Sequence, residues 1–172
     1  MPLPRLSLEP LLETLAEKTE ECQPYAPLVR AAANTWKRSD AVPWPGDLGV
    51  NTSTDGKHEL PGPGTFNPEG RCCLIGASMI GTPINTTAGW YEQCAALFGI
   101  EREEAMGIAI GFDAAGFGEP GYGPESRAME GNLNYQRGYN CGWLIGAAIF
   151  GPDGVTRRRR FIEPATVVAI AE

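Results

Sequence analysis

The chain has 172 residues and a formal net charge of −7 at pH 7, with 21 acidic and 14 basic side chains. That length suits a single domain, 1–172, with a real hydrophobic core, and a 42% hydrophobic content excludes global disorder. Acidity argues against general nucleic-acid binding, which needs cationic surface to displace counterions, and no apolar run approaches the roughly 18–20 residues of a membrane span.

Glycine (22) and proline (15) together form about a fifth of the chain, just under the roughly 25–30% of low-complexity sequence. The expectation is a folded core carrying long irregular loops. Ser7 is placed to cap a helix over 8–22, with Leu8, Leu11, Leu12, Leu15 and Cys22 on one face and Glu9, Glu13, Glu17, Glu20 and Glu21 outside. Pro27 opens a second helix over 27–38, whose last turn carries Lys37 and Arg38, the signs the helix dipole favours. These two form a helical hairpin, 7–38. The stretch 39–70 holds five prolines and six glycines and no helix or strand period, so it is a long loop, with Trp44 and Phe66 as aromatic anchors.

A helical core is expected over 71–113. The spacing predicts a buried helix over 70–81 closed by Gly81, then a helix over 90–98 capped by Thr86 or Thr87 and stopped at Gly99. A tight turn leads to a third helix, whose first turn is loaded with Glu101, Glu103 and Glu104. This helix–turn–helix spacing is compatible with DNA reading, but its second helix is acidic and then apolar with no basic or amide face to meet bases, so core packing is the better account. A Gly-rich loop follows at 114–124. In 125–172, Gly138, Gly142 and Gly146 recur every four residues; on a helix they form a ridge for close packing, but a strand stays open because interior glycines cost about 1 kcal/mol each in a helix. The turn signal at 151–154 predicts a C-terminal β-hairpin. The fold class is therefore mainly α (α+β), with a compact helical core, long Gly/Pro-rich loops and that hairpin.

Candidate chemistry is sparse. Residues 116–121 match GxGxxG, yet follow a predicted helix and place Glu119 and Pro120 against a phosphate-binding helix start. Cys72 and Cys73 fall at a predicted helix start, which together with Arg71 lowers a thiol's pKa. His58 is the sole histidine, and a Cys–His pair oriented by Asp47, Asp55 or Asp113 makes a minimal acyl-transfer site. The competing account makes both thiols core packing. The five cysteines (Cys22, Cys72, Cys73, Cys94 and Cys141) include no C-x₂₋₄-C pair, so they read as buried reduced thiols, with no metal and no cofactor expected. Binding is assigned to the aromatic anchors Trp44, Phe66, Phe117 and Tyr122 and to the basic run Arg157, Arg158, Arg159 and Arg160. That run reads first as a solvated strand or turn, next as a dock for an acidic partner, and last as a nucleic-acid contact.

Residues 71–77 (RCCLIGA) resemble the Cys-Ala-Leu-Gly-Ala signature helix of an uncharacterised small-domain family of actinobacteria and their phages. Leu97-Phe98-Gly99-Ile100 is similar to that family's next helix end, and Ile110-Gly111-Phe112-Asp113 matches its Trp-Asn-Asp element at Asp113 alone. The likeness covers 70–115 and implies a mostly helical fold and a phage or actinobacterial origin, with no activity attached.

The reading is a non-catalytic cytoplasmic protein (host cytoplasm if phage-encoded), an accessory or virion-associated factor, binding a protein partner through its Gly/Pro/aromatic loops. The cytoplasmic location is expected because the N-terminus lacks the charged-then-apolar layout of a signal peptide, and no membrane contact is expected because no apolar run is long enough to span one. The alternatives are a cysteine-dependent hydrolase or transferase using Cys72 or Cys73 with His58, and a small-ligand module built on the same loops.

Overall fold

The computed structural model describes residues 5–38, 42–45, 71–79, 89–117, 128–129 and 131–150. Among them run α1 (Arg5–Lys18), a 3₁₀ turn (Gln23–Tyr25), α2 (Ala26–Arg38), β1 (Val42–Pro43), β2 (Arg71–Cys72), α3 (Leu74–Ser78), α4 (Trp90–Phe98), α5 (Arg102–Phe117) and α6 (Leu133–Phe150). The fold is mainly α. The expected hairpin in 151–172 lies outside the described residues.

The helical hairpin forms as its apolar spacing dictates. Leu8, Leu12, Leu15 and Cys22 are buried from one side, and Leu28, Val29, Ala32 and Trp36 from the other. Helix α1 starts at Arg5, ahead of the Ser7 cap, and ends four residues before Cys22. Thr19 ends it: its hydroxyl donates to the Leu15 carbonyl at 2.6 Å and accepts the Cys22 N–H at 3.2 Å, so the chain leaves the helix with its polar groups satisfied. Lys37–Glu9 (2.7 Å) and Arg30–Glu13 (2.8 Å) link the outer faces. Both pairs are solvent-exposed and add little stability.

Helix α4 matches its predicted span and stops at Gly99, whose φ of +65° is the left-handed conformation glycine adopts without a Cβ penalty. The Gly99 and Ile100 N–H groups both turn back to the Ala95 carbonyl. Its N-cap is Gly89, three residues nearer the helix than Thr86; Thr86 and Thr87 lie outside the described residues. At the start of α5, Glu104 does more than answer the helix dipole. Its carboxylate accepts the Glu101 N–H at 3.0 Å, the side-chain-to-cap half of a capping box, and also accepts the Tyr25 hydroxyl.

Residues 133–150 are helix throughout, which settles the helix-or-strand question for this segment. The glycine ridge accounts for it. Gly138, Gly142 and Gly146 of α6 meet the backbone of α5 at Glu104, Ile108 and Phe112, while Gly107 and Gly111 of α5 meet the backbone of α6 at Tyr135 and Tyr139. Five missing side chains let two helices touch main chain to main chain. The dispersion gained along that line offsets the poor helix propensity of glycine. The rest of the core packs around this pair, with Trp36 stacked on Phe112 (6.2 Å between ring centres) and Phe112 tilted against Phe150 (5.4 Å).

Two further boundaries differ from the sequence reading. Residues 70–81 are not one helix: β2 occupies 71–72, Cys73 is extended, and α3 covers only Leu74–Ser78. The Arg71–Cys72 backbone is drawn into parallel pairing with Val42–Pro43, a partner nearly thirty residues away that no local pattern announces. Helix α5 also runs to Phe117, into the stretch read as loop 114–124. Ala114 and Ala115 are buried there, and a Cβ on Gly116 would sit 2.6 Å from the Pro45 ring, so this glycine serves close packing rather than a turn.

Candidate functional site

The strand pair sets the geometry of one corner of the molecule. β1 and β2 pair in register Val42↔Arg71 and Pro43↔Cys72, and the Trp44 N–H extends the ladder to the Cys72 carbonyl at 3.0 Å. Pro43 and Pro45 on either side are buried, which fixes the Trp44 backbone while its side chain stays 41% exposed. Pro45 abuts Gly116 at the end of α5, and the same glycine faces the Phe150 ring at the end of α6. The sequence-predicted residues Trp44 and Cys72 are thus brought together, and Phe117 closes the helix that ends beside them. Pro45 and Gly116 are the corner residues that sequence reasoning missed. Their local signals were membership of Gly/Pro-rich stretches and, for Gly116, the GxGxxG match, and neither gave a hint that the two stretches meet.

Behind Trp44 the cysteines are packing groups. The Cys72 thiol accepts the Trp36 indole N–H at 3.2 Å and is fully buried. Cys73 stands at the N-cap position of α3, as a helix-start thiol should, but burial pushes its pKa up, and the nearby Asp113 carboxylate, itself buried, pushes the same way. The N–H groups of Gly76 and Ile75 pull it down and are outweighed. The sequence expectation therefore has the right sign for the helix terminus and lacks the larger desolvation contribution. Burial likewise raises Cys94 to about 12, against the opposing Ser78 hydroxyl, and holds Cys141 well above the ordinary thiol range, reinforced by the Cys22 thiol and Glu21. Thr35 and Ser78 spend their hydroxyls on the carbonyls of Ala77 (2.6 Å) and Ile75 (2.7 Å), bracing α3.

The remaining candidates, His58, Asp47, Asp55, Phe66, Tyr122 and Arg157, Arg158, Arg159 and Arg160, lie outside the described residues. Among the described residues no group of three or more His, Cys, Asp or Glu side chains is placed to hold a metal, and no helix is long and apolar enough to cross a membrane. No family model matches the chain, and no curated protein or solved structure matches it.

All five cysteines are free and buried. With Ellman's reagent near neutral pH, the native protein is expected to release thionitrobenzoate far more slowly than an exposed thiol would, and five equivalents are expected after denaturation. Rapid native labelling of Cys72 or Cys73 would restore the nucleophile reading.

Proposed function

We propose that the protein is a non-catalytic, cytoplasmic interaction module that binds a macromolecular partner through the loops rooted at this corner. One observation carries the reading: Trp44 is half-exposed at the point where the chain leaves β1, on a backbone locked to Cys72, beside the ends of α5 and α6. The described chain reaches this corner at Pro45, at the end of α5 and at the end of α6, and the stretches that follow each of these points in sequence hold the other predicted anchors. A rigidly held tryptophan is a typical interface anchor, because it offers large contact area for little lost side-chain freedom. The raised thiol pKa of Cys73 weighs against the hydrolase alternative, since the thiolate is the nucleophile. The likeness at 70–115 extends the proposal to an accessory or virion-associated factor of an actinobacterial phage, with a host protein as partner.

The test is affinity capture from actinobacterial lysate, followed by titration of the purified partner. Trp44→Ala is expected to weaken binding at least tenfold, the scale of a truncated anchor, while leaving the melting temperature close to wild type. A partner that binds Trp44→Ala and a 46–70 loop replacement as tightly as wild type would overturn the reading.

A further inference from the structure

We draw no further inference here: the strongest candidate, the apolar surface patch on α4, where Leu97 is 47% exposed and Trp90, Tyr91 and Phe98 are partly buried, carries nothing because nothing in the structure shows what covers it.

Discussion

Gly142→Ala is expected to destabilise the protein by about 3 kcal/mol or more, well beyond an ordinary surface substitution. A Cβ built at Gly142 stands 2.0 Å from the Ile108 carbonyl oxygen, 2.8 Å from its carbon and 2.9 Å from its Cα. All three are backbone atoms in the middle of α5, so no side chain can rotate away, and the helices have to part. Alanine recovers about 1 kcal/mol of helix propensity, and the cost of parting the helices exceeds it. The same argument ranks the ridge. Gly138 is equally tight, with its Cβ 2.1 Å from the Glu104 oxygen. Gly146 is more forgiving, since its nearest atoms lie 2.8 Å away and one is the Ala115 methyl. For a chain of this size the loss at Gly142 lowers the melting temperature by roughly 6–12 °C, readable by far-UV circular dichroism. Gly131→Ala is the control: nothing lies within 4 Å of its Cβ, and stability should stay within about 0.5 kcal/mol. If Gly142→Ala melted with wild type, the main-chain contact between α5 and α6 would be wrong.

That contact also shows what the sequence could and could not disclose. The i, i+4 recurrence of Gly138, Gly142 and Gly146 reads as a packing ridge from spacing alone, and the structure places it on a helix facing a partner. The partner's half, Gly107 and Gly111, carries the same spacing in plain view. Sequence reasoning passed over it because the acids of its first turn and its apolar run already accounted for the helix. Helices α2 and α4 were legible because their signals are local: Pro27 and Lys37-Arg38 for one, Gly99 for the other. The corner was legible only in pieces. Trp44 stands out as an aromatic in a Pro/Gly stretch, but its fixation depends on pairing 42–43 with 71–72, and the closure around it depends on Pro45 meeting Gly116. Long-range contacts of this kind leave no periodicity.

Alkaline pH should unfold the protein by way of its cysteines. Cys73, Cys94 and Cys141 have pKa values raised by burial above the ordinary 9.0. In the unfolded chain these thiols ionise near pH 8.5–9, so above that range the native state holds three protons that the unfolded state has released. Stability changes with pH as 2.303RT times the protons bound unfolded minus those bound native. The difference is negative, so this contribution is fully present below about pH 8.5 and is lost as pH rises, by up to about 4 kcal/mol per pH unit for three protons. Cys94 stops contributing near pH 12, where it titrates in the folded state. The Tyr25 hydroxyl, raised by burial and by its bond to Glu104, adds to the slope above pH 10. Against a total stability of about 5–15 kcal/mol, the midpoint of unfolding should fall between about pH 10 and 12. Urea unfolding followed from neutral pH to about pH 11 measures the slope, and Cys94→Ala should flatten it by about 1.4 kcal/mol per unit whatever the variant costs in absolute stability. A wild-type stability that stayed level to about pH 11 would mean that the thiols ionise in the folded protein. That result would remove the argument from burial against Cys73 as a nucleophile, since its thiolate would then form without loss of the fold.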